Sequence, residues 1–532
     1  MKHPNETKNG NAARELIRSL TAPNGASPFG NETRLIETHI SWVILTGDYA
    51  YKIKKPVDLG FLDFSTPDRR RHFCDEELRL NRRFAPSLYL DVVPIGGTPT
   101  APIIDQEPAI EWAVRMRRFP DEAGLDLQVE SDTVTTDDMQ QFGALLARIH
   151  AQAEASIEAR FGSLDAIQQP ALDNFTSIER DCANNIKARE DLSRLRSWTL
   201  QACAALAPLF AQRLADGRIR ECHGDLHLGN IVHLGDQIVA FDCLEFDPAL
   251  RWIDVVSDVG FLYMDLLRVG RADLACAFLS RYLEASDDYA GLTTLPFYAV
   301  YRALVRAKTT ALRIAQKNTD MEASEVVAYL TLGKQLAFPT ERPVLIICHG
   351  LSGSGKTHLS DSLIAAIPAI RVRSDIVRKR LHGMAELETS YAAMNAGIYD
   401  AASTRETYAQ LAADAGFGLR AGINVIVDAT CLRSADRQCL VRAAEGAKAA
   451  TVFLSCEADP VTLEERIRAR HARGVDASEA DVAVLRGQQA AQEPLSSEEL
   501  ERTVRIDTTR KMDSASIATE IRALALSPGS VH

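Results

Sequence analysis

Three groups of polar residues in this sequence have the types and spacing that chemistry needs. In the first, Gly350-Leu351-Ser352-Gly353-Ser354-Gly355-Lys356-Thr357 satisfies GxxxxGK[ST] at every position. Gly350, Gly353 and Gly355 let backbone N–H groups wrap a phosphate, with Ser352 and Ser354 in the same cradle. Lys356 neutralises β/γ charge, and Thr357 offers a hydroxyl to Mg2+. The second group is Cys222-His223-Gly224-Asp225-Leu226-His227-Leu228-Gly229-Asn230. It runs into Ile231–Leu234, a Gly235-Asp236 turn and Gln237–Phe241, which reads as a β-hairpin, with Asp242 directly after it. The hairpin brings Asn230 near Asp242, and an amide oxygen with a carboxylate suits a hard cation such as Mg2+. Asp225 stands where it can take a proton from an acceptor hydroxyl. The third group is Asp375, Asp428 and the arginines Arg466, Arg470 and Arg473. A carboxylate at Asp428 can hold a metal's water shell or act as a base. Asp375 can hold and deprotonate an acceptor, or cap the helix that follows it. The arginines can close over transferred phosphate, or form a solvated face paired with Glu464 and Glu465.

These residues need elements to hold them. Val344–Cys348 is a short apolar run bounded by Pro343 and Gly350, the pattern of a buried parallel strand, and a helical pattern follows at His358–Ile367. Asp428 ends a second apolar strand, Asn424–Val427, and Asp375 follows a third around Ile370–Ser374. Ligands of open α/β sheets bind at the carboxyl ends of such strands. Nearer the N-terminus, Arg34–Glu37, Trp42–Leu45, Tyr49–Ile53, 88–95 and 110–119 read as strands, with a helix around Arg69–Phe84. A cation for nucleotide phosphates, held by a carboxylate, is sought there. Lys52 with Glu77 is the favoured pair. Lys54 and Glu76 are its rivals, because period-two alternation puts both lysines on one face.

The chain has 532 residues, 46% hydrophobic and 25% charged, which excludes wholesale disorder and predicts two or three globular domains. A net charge of −12 argues against a surface built for nucleic acid or an anionic membrane. The ten cysteines are scattered without ligand spacing, there is no apolar run of membrane-spanning length, and the N-terminus lacks a signal-peptide core. A cytoplasmic protein with reduced thiols is expected. Pro339 and Pro343 mark a linker after a long helical pattern, Phe297 to Leu336. The expected division is a mobile segment 1–29, a domain 30–335 with lobes of about 30–118 and 119–335, a linker 336–342, and a domain 343–532. The last few residues, SPGSVH, are expected to be mobile too.

Residues 343–510 resemble the P-loop kinases of the gluconate kinase, polynucleotide kinase and zeta-toxin type. The phosphate loop, RSDIVRKRLHG (373–383), NVIVDATCLR (424–433) and ERIRARHARG (464–473) carry the resemblance. It implies that Asp375 contacts the acceptor and that Arg466, Arg470 and Arg473 form a lid. Residues 30–335 resemble the aminoglycoside phosphotransferase family, through its complete HGDxHxxN pattern at His223, Gly224, Asp225, His227 and Asn230. That family implies a two-lobed protein-kinase-like fold, Asp225 as catalytic base, Asn230 and Asp242 on Mg2+, Lys52 on ATP, and adenine near the hinge at 112–119. Cys243-Leu244-Glu245-Phe246-Asp247-Pro248 departs from the family's ending, so its antibiotic is not carried over. The carboxylates Glu245, Asp247, Asp254, Asp258 and Asp265 could form an acidic pocket for a cationic acceptor, but are read as paired internally, for example with Arg251, or facing solvent.

The expectation is thus an α/β and α+β chain: a protein-kinase-like domain, then a parallel-sheet P-loop domain. Each would move the γ-phosphoryl of ATP to a hydroxyl of a small-molecule acceptor, with Mg2+. Nucleic acid stays open as an acceptor for the second. The rivals are a nucleotide-binding regulatory module in one half and an ATPase in the other.

Overall fold

The computed structural model describes residues 8–23, 27–30, 32–60, 62–181, 186–317, 323–386, 388, 390, 397–473, 478 and 480–526. The described residues fall into two compact units. One comprises residues up to Val134 with 149–167 and 207–262; the other comprises 135–148, 168–206 and 263 onward.

The first unit is built on a six-stranded antiparallel sheet. Its strands are β1 (Thr33–Glu37), β2 (Ser41–Thr46), β3 (Tyr49–Lys54), β4 (Tyr89–Thr98), β5 (Ala101–Ile104) and β6 (Glu111–Arg117), in the order β1-β2-β3-β6-β4-β5. Gly47, at φ +49°, turns β2 into β3. Alternation along β3 sends Tyr51 and Ile53 to one face, where they pack with Trp42, Ile44, Leu16, Ile17 and Leu20. Those leucines and the isoleucine lie on a helix, Lys8–Leu20, inside the segment expected to be mobile. The correction has a simple cause: the apolar residues of AARELIRSL recur at helical spacing and cover a sheet face. Residues 1–7, 24–26 and 527–532 lie outside the described residues. The other sheet face receives Ala50, Lys52 and Lys54, and is covered by the helix Pro67–Asn81. Thr66 caps that helix, its hydroxyl accepting the Arg69 N–H at 3.3 Å, with Pro67 in the first turn. Two small ladders complete the unit. β7 (Ile219–Glu221) pairs with a later strand, Trp252–Asp254, and β8 (Ile231–Leu234) pairs with β9 (Gln237–Ala240) across the Gly235-Asp236 turn. Trp252–Asp254 is β10.

The second unit holds a five-stranded parallel sheet: β11 (Val344–His349), β12 (Ala369–Arg373), β13 (Asn424–Asp428), β14 (Ala450–Glu457) and β15 (Thr503–Asp507), in the order β12-β13-β11-β14-β15. The middles of the central strands, Leu345–Cys348, Val425–Val427 and Val452–Leu454, are apolar and buried, because helices cover both faces. The long helical pattern before the sheet resolves into two helices, Leu295–Lys317 and Ala323–Ala337, so the last turn of the second overlaps the start of the expected linker. The helix after β12 starts at Ser374, so Asp375 sits in its first turn and Arg373, not Asp375, occupies the cap position.

One buried carboxyl in this unit has a pH signature. On the helix Ala401–Arg420, Asp414 accepts from Gln410 at 2.7 Å, while its second oxygen is buried without a partner. Burial pushes its pKa up to about 7 from an ordinary 3.8. A raised folded-state pKa means that the stability is fully present below the unfolded value and is lost as pH rises through 7. The loss is up to ~4 kcal/mol. Asp414→Asn is expected to raise the melting temperature at pH 8 and change it little at pH 4. Equal shifts at both pH values would overturn this account.

Candidate active sites

In the first unit, β3 and the helix Pro67–Asn81 bring three charges together. Lys52 Nζ lies 2.8 Å from Glu77 Oε1, and Lys54 Nζ lies 2.8 Å from Glu77 Oε2. Lys52 also pairs with Asp242, and Lys54 with Glu245. Glu77 therefore bridges both lysines that alternation left unresolved, whereas Glu76 pairs with Arg79 at 2.9 Å. The lysines differ in exposure. The Lys54 side chain is 0% exposed; Lys52 is 10% exposed and points to Asp242, which is 44% exposed. Burial opposes charge on Lys52, but Asp242, Glu77 and Glu245 outweigh it and hold its pKa well above the ordinary lysine value. Burial likewise opposes ionisation of Glu77, and Lys52 and Lys54 reverse it, so that carboxyl stays ionised.

The loop after β7 is fixed from below. Asp258 accepts the N–H of His223 at 3.0 Å and of Gly224 at 2.9 Å, and His150 Nε2 lies 3.2 Å from it. His223 Nε2 meets the Phe241 carbonyl at 2.9 Å, tying the loop to the end of the hairpin. Burial lowers the His223 pKa, so the ring is neutral. Gly224, at φ +85°, accepts no side chain: a Cβ would stand 2.6 Å from the Leu250 carbonyl oxygen. Asn230 donates through Nδ2 to the Asp225 carbonyl and to Asp225 Oδ2, both at 3.0 Å, which leaves its amide oxygen for a cation. The Phe241 N–H donates to the Asn230 carbonyl at 2.9 Å, so the hairpin sets Asn230 beside the residue before Asp242. Asp242 itself adopts φ +63°, and its N–H donates to Tyr89 Oη at 3.1 Å. Oxygen donors from Asn230 and Asp242 next to Lys52 fit Mg2+ with a phosphate chain. Glu245, Asp254 and Asp258 pair internally, with Lys54, Arg213 and His150. Arg251 pairs with Glu221 at 3.1 Å, not with those acids.

In the second unit, the loop from Gly350 to Thr357 joins β11 to the helix Lys356–Ala366, at the carboxyl ends of the parallel strands. Gly353 (φ +82°) and Gly355 (φ +86°) take the left-handed conformations that bend it into a cradle. Lys356 Nζ is folded onto the loop, donating to the carbonyls of Leu351 at 2.8 Å and Gly350 at 3.0 Å, with Ser354 Oγ at 3.5 Å. The Ser352 N–H donates to Gln488 Oε1 at 2.9 Å. A cavity of about 520 Å3 opens beside the loop. Ser352, Gly353, Gly355, Lys356, Thr357, Asp375, Asp428, Arg466 and Arg470 all line it. Arg466 donates to the Gly353 carbonyl at 3.3 Å, to Thr508 Oγ1 at 2.9 Å and to the Thr508 carbonyl at 2.7 Å. Arg470 donates to the Ala480 carbonyl at 3.0 Å. The solvated partner of Glu464 is instead Arg468, at 2.8 Å. The helix Pro460–Arg473 thus turns Arg466 and Arg470 toward the loop; the Arg473 side chain lies outside what is described. Asp428 ends β13 in register with Arg373 of β12. Thr357 and Asp428 on one wall fit a hydrated Mg2+.

Sequence reasoning missed Arg378, which also lines this cavity, one helical turn beyond Asp375. It is 8% exposed, donates to the Ile398 carbonyl at 2.9 Å, and keeps Nε without a partner. The i, i+3 spacing of Asp375 and Arg378 was the available signal. Thr508 and Gln488 gave none, since only the fold returns them to the loop.

Residues 61–295 match the model described as the phosphotransferase enzyme family, and residues 345–495 match one described as an AAA domain. Uncharacterized proteins of Mycobacterium tuberculosis and Mycobacterium bovis are each 30% identical over 460 residues, which is 85% of this chain and 89% of theirs. Among solved structures, a choline/ethanolamine kinase family protein from Mesorhizobium loti aligns with a TM-score of 0.39 at 11% identity, over 62% of this chain and 95% of that one. A gluconokinase from Sinorhizobium meliloti aligns with a TM-score of 0.24 at 23% identity, over 35% and 93%. Among the described residues, no helix is long and apolar enough to cross a membrane. The chain belongs to the family of these mycobacterial proteins, with an aminoglycoside phosphotransferase-like region followed by a P-loop kinase-like one.

Proposed function

We propose that this phosphotransferase has two catalytic domains, 30–335 and 343–532, each passing the γ-phosphoryl of ATP to a hydroxyl of a small-molecule acceptor. The observation that carries the reading is that each half has a complete polar set beside its phosphate-binding cation. Asp225, Asn230 and Asp242 stand with Lys52, and Asp375, Asp428, Thr357 and Arg466 stand with Lys356. Mg2+·ATP would supply the activated phosphoryl group. In the first domain Asp225 takes the acceptor proton, Asn230 and Asp242 hold the metal, and Lys52, kept charged by Glu77, meets the phosphates. In the second, the loop amides and Lys356 cradle phosphate, Thr357 and Asp428 hold the metal, and Arg466 and Arg470 neutralise charge on the transferred group. Asp375 orients and deprotonates the acceptor, and Arg378 beside it suits one that carries a negative charge as well as a hydroxyl. A cytoplasmic setting fits free thiols at the described cysteines.

A regulatory module without transfer would use Asp225 only to hold the Asn230 amide, at 3.0 Å, and not as a base. The test is an acceptor screen with γ-labelled ATP across sugars, aminoglycosides, nucleosides, nucleotide-sugars and nucleic acid 5′ ends. It is run on the full chain, on Lys356→Ala and on Asp225→Asn. Lys356 contributes charge-assisted bonds to phosphate, so its loss is expected to weaken nucleotide binding at the second site about 100-fold. Label should reach two acceptor sets, one lost in each variant. ATP turnover with no labelled acceptor in any arm would defeat the reading.

A further inference from the structure

The helix Ala272–Ser286 lies inside the stretch matched by the phosphotransferase model, yet it packs in the same compact unit as the P-loop sheet. β12 is the edge strand of that sheet, and the helix covers it: the Arg371 N–H donates to Ser280 Oγ at 3.0 Å. Two chains of charge leave the helix from there. In the first, Glu284 Oε1 faces Arg371 Nε at 3.6 Å. Both atoms are buried and neither has a hydrogen bond, so at these two atoms each charge faces the other. Arg371 passes on to Asp361 and, at 3.5 Å, to Ser360. Asp361 lines the P-loop cavity. In the second chain, Arg281 meets Glu386 at 2.8 Å, Glu386 meets Arg373 at 3.8 Å, and Arg373 meets Asp428 at 3.9 Å. Arg281 and Glu284 are themselves paired at 3.2 Å, which joins the two chains at the helix. Both end on carboxylates in the wall of one cavity.

We propose that Arg281 and Glu284 are positioning residues of the P-loop site: acting through Arg373 and Arg371, the phosphotransferase-region helix sets Asp428 and Asp361. This rests on the reading of that site as one for Mg2+ and ATP. A buried charge that loses its partner must move or change protonation, so the far carboxylates respond to what the helix does. Arg373 sets how much negative charge Asp428 offers a cation, and Glu386 sets how far Arg373 leans toward it. The arrangement also makes the P-loop region dependent on the other region, because without the helix Arg371 would be left without the carboxylate facing its Nε.

Binding of a non-hydrolysable ATP analogue to the full chain, with and without Mg2+, tests this. The P-loop site is the one lost in Lys356→Ala. Arg281 and Glu386 are each about 30% exposed, so Arg281→Met, Arg281→Lys and Glu386→Gln keep the fold within reach. Arg281→Met and Glu386→Gln are each expected to lower Mg2+-dependent affinity at that site five- to tenfold and to leave Mg2+-free affinity unchanged. Arg281→Lys should retain most of it. The double variant should be no worse than either single one, and Asp428→Asn should erase the effect of both, because the residues act in series. Equal losses with and without Mg2+, or losses that add to that of Asp428→Asn, overturn the positioning role. So does an unchanged affinity in the singles while Asp428→Asn lowers it. No effect of Lys356→Ala or Asp428→Asn would instead defeat the reading of the site itself.

Discussion

Lys54→Met is expected to cost the folded chain about 3–5 kcal/mol, the usual result of removing one partner from a buried ion pair. Lys52→Met, two residues away on the same strand face, is expected to cost about 1 kcal/mol and to act mainly on nucleotide binding. Exposure and partners explain the contrast. The Lys54 side chain is 0% exposed and is held between Glu77 and Glu245, which are 0% and 4% exposed. Without it, Glu245 loses the cation it contacts and keeps only the more distant Lys52. Burial already holds the Glu245 pKa above the ordinary range, even against Lys54. In the variant it would take up a proton, so the stability loss should deepen as pH rises and that proton becomes harder to keep. Loss of Lys52 leaves Glu77 with Lys54, and leaves Asp242 to water. Urea denaturation at pH 6 and pH 8, beside ATP-analogue binding, separates the two. If Lys52→Met is the more destabilising, or if Lys54→Met folds normally and loses only nucleotide, the roles are reversed.

That contrast marks how far the sequence could be read. Alternation placed Lys52 and Lys54 on one face of β3, with Glu76 and Glu77 both open as partners, but no period says which lysine is nearer solvent. That depends on Asp242 and Glu245, which come from the far side of the hairpin, nearly two hundred residues later. The phosphate loop and the HGDxHxxN loop were legible because their chemistry is local: contiguous residues, a strand before and a turn or helix after. Asp258, which fixes the second loop through two backbone N–H groups, looked like one acid among several. Arg466 and Arg470 were balanced between a lid and a solvated face, since spacing alone does not orient a helix; contacts to Gly353, Thr508 and Ala480 do. The helix Lys8–Leu20 went unread because its apolar stripe is short and its cover, the outer face of β2 and β3, is assembled from the rest of the chain.

The sharpest expectation concerns two aspartates of the first unit. Asp225→Asn keeps size and removes a proton acceptor, so phosphoryl transfer should fall 10²–10⁴-fold while ATP affinity stays nearly constant. Asp242→Asn removes a metal carboxylate and a partner of Lys52, so affinity should fall too, and only when Mg2+ is present. The substitutions are well matched as probes. Asp242 sits at φ +63°, a conformation that asparagine tolerates as well as aspartate, so backbone strain is unchanged. Asp225 accepts from Asn230 Nδ2 at 3.0 Å through both its carbonyl and Oδ2, and an asparagine oxygen can keep the side-chain bond. Were both residues merely turn formers, each change would weaken turn hydrogen bonds by up to about 1 kcal/mol and lower the melting temperature without dividing binding from transfer. The measurements are ATP affinity with and without Mg2+, transfer rate and a melting curve, made on the full chain with Lys356→Ala in the background to silence the second site. Equal loss of Mg2+-dependent affinity in both variants, or in neither, would sink the assigned roles.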